Sequence, residues 1–159
     1  MSPIHVAVCG PALAGPAEFE AAEEVGRLLA EAGAIVVCGG GTGVMDAVAR
    51  GCREAGGITV GLLADPDRAD ASEHLTVSIP TGMGETRNAL VARSGQAVIA
   101  IGGEFGTLSE IALALKIGRP VVGLGTWEVA KPGYSSDPIV RVGSPTEAVR
   151  RALELASGL

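Results

Sequence analysis

Six short, apolar, β-branched runs recur along this chain, separated by stretches of helical period and, at three points, by glycine-rich turns; no other feature restricts the fold as much. The runs are Ile4–Val8, Ile35–Cys38, Ile58–Leu62, Leu75–Ile79, Val98–Ile101 and Pro120–Leu124. Between the first two, Pro16 to about Ala32 sets Phe19, Ala22, Val25 and Leu29 on one helical face. Further helices are expected from the turn Gly39–Gly43 to about Ala55, from Thr81–Gly84 through about Ser94, and over Thr107–Ile117. The closing helix starts at Ser144-Pro-Thr-Glu147, with serine at the cap, proline in the first turn and glutamate three residues on. An acidic stretch, Asp65–Glu73, and Gly125–Asp137 read as loops. Strands with little polar alternation are covered on both faces, which in a βαβ series means parallel pairing with right-handed crossovers. The expected fold is therefore α/β: a Rossmann-like, doubly wound, mostly parallel sheet in three α/β/α layers, with residues 1–159 forming one domain.

Composition narrows the partners. A net charge of −6 argues against nucleic acid held through phosphate contacts, which needs a basic face. The N-terminal stretch lacks a charged region followed by a long apolar one, and no apolar run reaches membrane-spanning length, so a cytoplasmic protein without membrane contact is expected. Cys9, Cys38 and Cys52 are odd in number and form no C-x-x-C pair, which points to reduced, buried thiols rather than a disulfide or metal framework. His5 and His74 stand in no triad or metal pattern, and no metal is expected.

In a parallel sheet, ligands bind outside the carboxyl ends of the strands, where all three glycine turns fall. Gly39-Gly40-Gly41-Thr42-Gly43 with Met45, Thr81-Gly82 with Asn88, and Gly102-Gly103 with Gly106-Thr107 are the candidate phosphate-binding residues, together with Gly10 at the end of the first strand. Glycine lets a backbone approach a ligand, and a helix beginning just beyond offers unpaired N–H groups and a positive dipole end. Neither G-x-G-x-x-G nor a P-loop lysine is present, which argues against dinucleotide oxidoreduction and P-loop hydrolysis. Thr107 and Glu110 have two readings: a capping box that needs no ligand, or a site whose carboxyl serves chemistry. Glu104 beside a phosphate reads as a solvated loop carboxylate turned outward, and Trp127 either covers the ligand or packs on the domain edge.

The ordered set Gly39-Gly-Gly-Thr-Gly-Val-Met45, Thr81-Gly-Met-Gly-Glu-Thr-Arg-Asn88 and Gly102-Gly-Glu-Phe-Gly-Thr-Leu-Ser-Glu110 resembles the Rossmann nucleotide-binding superfamily that includes the Lonely-guy phosphoribohydrolases, once misnamed lysine decarboxylases. The likeness spans Ile4 to about Leu124 and is closest to the bacterial branch related to the DNA-processing protein A fold and to molybdenum cofactor carrier proteins. In the phosphoribohydrolases the signature P-G-G-x-G-T-x-x-E supplies phosphate-binding backbone and a catalytic glutamate, completed by an arginine on the preceding helix. The resemblance places Gly106 and Thr107 on the shared G-T, Glu110 on that glutamate and Arg87 on that arginine. Gly102 replaces the proline, Glu104 the second glycine and Asn88 the lysine after the arginine, and the histidine preceding it is missing, so the set specifies a superfamily and not an activity.

Two functions follow from the resemblance. In the first, the protein splits the N-glycosidic bond of a nucleoside 5′-monophosphate without a cofactor, with Glu110 stabilising oxocarbenium charge or orienting water and Arg87 fixing the substrate. In the second, the same pocket carries or senses a phosphorylated cofactor, such as molybdenum cofactor, without turning it over. A homo-oligomer is expected under either, because Leu108–Ile117 has only Ser109, Glu110 and Lys116 as polar positions.

Overall fold

The computed structural model describes residues 2–158. The strands are β1 (His5–Cys9), β2 (Ile35–Cys38), β3 (Ile58–Leu63), β4 (Val77–Pro80), β5 (Ala97–Ile101), β6 (Val121–Leu124) and β7 (Val140–Arg141). The helices are α1 (Pro16–Glu31), α2 (Val44–Glu54), α3 (Asn88–Ser94), α4 (Phe105–Lys116) and α5 (Pro145–Ser157), and a 3₁₀ turn, Gly84–Arg87, leads into α3. All seven strands pair in parallel, in the order β4-β3-β2-β1-β5-β6-β7. This is the expected Rossmann-like, three-layer α/β fold.

Alternate residues of the central strand β1 divide the interior. Val6 and Val8 face α1, α2 and α5, where Val25, Leu29, Val48 and Ala152 are fully buried. Ala7 and Cys9 face α3 and α4 with Val91, Ile111 and Ala114. That alternation is the period-two geometry of a strand covered on both sides. The three cysteines are free and buried.

Two features differ from what the sequence suggests. The short edge strand β7 carries no clear signal, because the β-branched run Ile139-Val140-Arg141-Val142 is too brief to show a period. The capping box at Thr107 does not form: α4 starts at Phe105 with Glu104 at the cap, so Thr107 already lies inside the first turn and is 3% exposed. Ser144 does cap α5, accepting from the Glu147 N–H at 3.2 Å, while Glu147 accepts from the Gly143 N–H.

The strand order reverses at β1 and β5, which are neighbours in the sheet yet far apart in sequence. In open α/β sheets a crevice forms at such a switch point, outside the carboxyl ends of the strands.

Candidate functional site

A cavity of about 440 Å³ occupies that crevice. The turn after β1, Gly10–Leu13, forms one wall, and the start of α4 with Glu104, Gly106, Thr107 and Glu110 forms the other; Met45, Glu85, Arg87 and Asn88 close it. Seven residues singled out in the sequence therefore meet here: Gly10, Met45, Arg87, Asn88, Gly106, Thr107 and Glu110. Pro11, Ala12 and Leu13 were not anticipated, since a wall made of backbone and small apolar side chains has no signature of its own.

The other glycines shape the crevice from behind. A Cβ on Gly43, whose φ is +65°, would stand 2.2 Å from the Pro11 carbonyl. The Val44 N–H donates to that same carbonyl at 3.0 Å and the Thr42 hydroxyl donates to the Ala12 carbonyl at 3.0 Å, so the start of α2 is already occupied by the β1 turn. Gly40 is closed in by Leu63 and Leu75, and its carbonyl accepts from the Ser72 N–H. Thr81 donates its hydroxyl to the Leu63 carbonyl, and the Gly82 N–H goes to Asp65. Gly102 lies under the Glu18 carboxyl and Gly103 against Thr107. Gly39 and Gly41 line a smaller hollow of about 100 Å³ on the far side of Arg87.

The start of α4 is different. Its first intrahelical acceptor pairing is the Leu108 N–H on the Glu104 carbonyl, and the Glu104 side chain makes no capping bond. The first-turn N–H groups of Phe105, Gly106 and Thr107 thus lack intrahelical acceptors at the positive end of a twelve-residue helix. Trp127 braces this turn: its indole N–H donates to the Glu104 carbonyl at 3.1 Å and its ring packs on Phe105 with centroids 5.6 Å apart. Trp127 therefore packs beside the site and does not line it.

Arg87 is the one cation among the residues lining the main cavity. Its Nη1 donates to the Gly39 carbonyl at 2.7 Å and to the Leu62 carbonyl at 3.0 Å, tying the ends of β2 and β3 together. The absence of a Cβ at Gly39 makes room, since one would meet Nη1 at 2.2 Å. The Arg87 Nε is buried without a hydrogen-bond partner among the described residues. Next to it, the Asn88 amide donates to Ser109 Oγ at 3.0 Å, and that hydroxyl donates to the Gly106 carbonyl at 2.6 Å, so α3 and α4 are fastened at the cavity.

One turn below Thr107, Glu110 borders the cavity and forms no ion pair within 4 Å among the described residues. Burial pushes its carboxyl from the ordinary 4.5 up to about 8, an effect that the Arg87 charge only partly offsets. Burial, and then the neighbouring Glu110, push the Cys9 thiol beneath it well up too. Burial thus favours the protonated form of Glu110. Glu85 and Glu104 stand at the exposed mouth.

Away from the cavity, Asp46 accepts from the Ser72 hydroxyl at 2.6 Å and lies 3.0 Å from His74 Nδ1. Burial alone would raise the Asp46 carboxyl, but these two hydrogen bonds carry it below its ordinary value. The cluster fastens the acidic loop to α2. No group of three or more His, Cys, Asp or Glu side chains able to hold a metal ion occurs among the described residues, and no described helix is long and apolar enough to cross a membrane.

Comparison with known proteins agrees with this fold. The SLOG cluster4 family matches residues 3–149. An uncharacterized protein of Archaeoglobus fulgidus is 38% identical over 150 residues, covering 94% of each chain. Among solved structures, the molybdenum cofactor binding protein from the phototrophic bacterium Rippkaea orientalis superposes with a TM-score of 0.89 at 30% identity over 98% of both chains. The molybdenum cofactor carrier protein of Chlamydomonas reinhardtii is likewise 30% identical, with a TM-score of 0.85 over 98% of this chain and 99% of that one.

Proposed function

We propose that this protein, which belongs to the SLOG cluster4 family, is a carrier that holds a phosphorylated, heterocycle-bearing ligand in the switch-point cavity and does not turn it over. Molybdenum cofactor is the proposed cargo, in line with what the Rippkaea and Chlamydomonas proteins are described as binding. One observation carries the non-catalytic part: the solved structures that are 30% identical over nearly the whole chain are a molybdenum cofactor binding protein and a carrier protein, and burial, which favours the protonated form of Glu110, is in line with it. N-glycosidic cleavage builds positive charge on the ribose and calls for a carboxylate, whereas a neutral acid stabilises no cation. A neutral acid beside an anion is instead a hydrogen-bond donor, and it removes the repulsion that an ionised glutamate would exert.

The residues present fit such a cargo. The phosphate goes to the free N–H groups of Phe105, Gly106 and Thr107, with the Arg87 guanidinium opposite, and the apolar turn Pro11–Leu13 and Met45 face the heterocycle. Bound molybdenum cofactor would supply its own redox-active metal centre, while the chain contributes binding, orientation and exclusion of water. The proposal is of a small-molecule carrier in the cytoplasm, with no nucleic-acid partner.

The test combines calorimetric titration with molybdenum cofactor, AMP and GMP and chromatography for free base after prolonged incubation. Saturable binding with no release of adenine or guanine is expected. Release of base at a catalytic rate would restore the phosphoribohydrolase reading. Arg87→Ala is expected to weaken binding about ten- to a hundredfold, the effect of removing a charge-assisted contact to an anion. It also removes the clip on the Gly39 and Leu62 carbonyls, so unchanged affinity in a folded variant would take Arg87 out of the site.

A homo-oligomer is part of the same proposal. On α4 the exposed Ala112 and the half-buried Leu108 and Leu115 form an apolar flank beside Tyr134, which is itself half-exposed. Light scattering at micromolar concentration is expected to give at least twice the chain mass, and Ala112→Glu to lower it. A wild-type monomer would refute the assembly.

A further inference from the structure

A second cavity, of about 420 Å³, lies between α3 and the start of α4, and it shares Glu85, Asn88 and Gly106 with the first, so the two adjoin. We propose that it is a subsite for a second aromatic ring, and that the phosphorylated cargo of the first cavity is carried with a second heterocycle joined to it through a pyrophosphate. The inference rests on the reading above that the first cavity takes a phosphorylated ligand.

Three observations converge. At the junction stands the exposed Gly106, where an added Cβ would meet nothing within 4 Å, so no side chain stands over the boundary between the cavities. The unpaired N–H groups of the first turn of α4 surround that junction, which is where the bridging phosphates of a two-part ligand would lie. Beyond it the second cavity is walled by Phe105, which is 76% exposed yet fixed in place by its packing on Trp127. An exposed aromatic ring held rigid beside a cavity is a stacking platform, and offset stacking of a planar heterocycle adds to the burial of its area. Leu113 and Ala89 supply apolar surface, and Glu85 and Thr86 stand where ring N–H groups would need acceptors. Each cavity alone has the size of a small-ligand site, and together they reach the range of larger cofactors.

Diadenosine 5′,5′-diphosphate, which carries two adenines on one pyrophosphate, is the probe, with ADP as the one-base control. Calorimetry of the whole protein is expected to show the dinucleotide binding about tenfold tighter than ADP or better, since stacking and burial of one more base is worth at least about that factor. Phe105→Ala is expected to bring the ratio of dinucleotide to ADP affinity down to about one, and Phe105→Trp to retain the wild-type ratio. ADP binding with no gain for the dinucleotide, or a gain that survives Phe105→Ala, overturns the second subsite and leaves the carrier reading standing. Failure of both probes to bind overturns this inference, while the carrier reading stands or falls on the titration with molybdenum cofactor.

Discussion

AMP is expected to bind the wild-type protein about a hundredfold more weakly at pH 10 than at pH 7, and Glu110→Gln to bind it equally at both. The Glu110 carboxyl borders the cavity, and burial pushes it up to about 8. If the bound anion requires the proton, affinity is level below that value and falls about tenfold for each further pH unit, because binding must then take up a proton. No competing titration has the right place. The second ionisation of a phosphate, near about 6, is complete by pH 7. The Cys9 thiol is pushed well above its ordinary 9.0 by burial. Glu85 and Glu104 are at the exposed mouth. Glutamine keeps the shape and the donor but cannot ionise, which separates the proton from the packing. Stability is linked to the same group: between about 4.5 and 8 the folded chain holds a proton that the unfolded chain releases, so stability declines across that window and is level above it. A wild-type affinity that ignores pH, or a glutamine variant that follows the same decline, would show that Glu110 does not face the ligand.

The fold was legible because burial on both sides leaves few polar residues in the strands, and the glycine turns mark where each strand ends. Five of the six runs read as strands match the observed ones to within a residue at either end; Leu75–Ile79 instead begins two residues before β4. The site was legible in part. Glu110 and Arg87 stand out as charged residues beside glycine turns, and both do border the cavity. The use of Arg87 as a clip on two strand ends was hidden, since its partners Gly39 and Leu62 are carbonyls 48 and 25 residues away. The false capping box has a local cause: Thr-Leu-Ser-Glu meets the rule, whereas the true first turn is Phe105-Gly106, two residues with little helix signal of their own. The brace from Trp127 to the Glu104 carbonyl and the fastening of the acidic loop through Asp46 depend on tertiary placement alone.

Gly51→Ala is expected to lower stability by about 3 kcal/mol and the melting temperature by about 6–12 °C, a large effect for a single methyl group. Glycine to alanine inside a helix ordinarily gains up to about 1 kcal/mol by restricting the unfolded chain. Here the new methyl would stand 1.9 Å from the Glu23 carbonyl oxygen on α1, a contact that only displacement of a helix can relieve. The relation is reciprocal: a Cβ on Gly26 of α1 would stand 2.1 Å from the Val48 carbonyl on α2. Two helices offering glycine to each other's backbone lie closer than side chains would permit, and here that approach reaches the site. The next turns upstream on α2 are Val44 and Gly43, pressed onto the Pro11 and Ala12 carbonyls that wall the cavity. Pushing α2 off α1 therefore shifts that wall, and folded Gly51→Ala protein is expected to bind AMP more weakly although Gly51 lies outside the cavity. Gly106→Ala is the control, because its methyl meets nothing within 4 Å and its φ is not positive. A melting temperature that rises for both variants would mean that the α1–α2 contact is looser than its geometry requires.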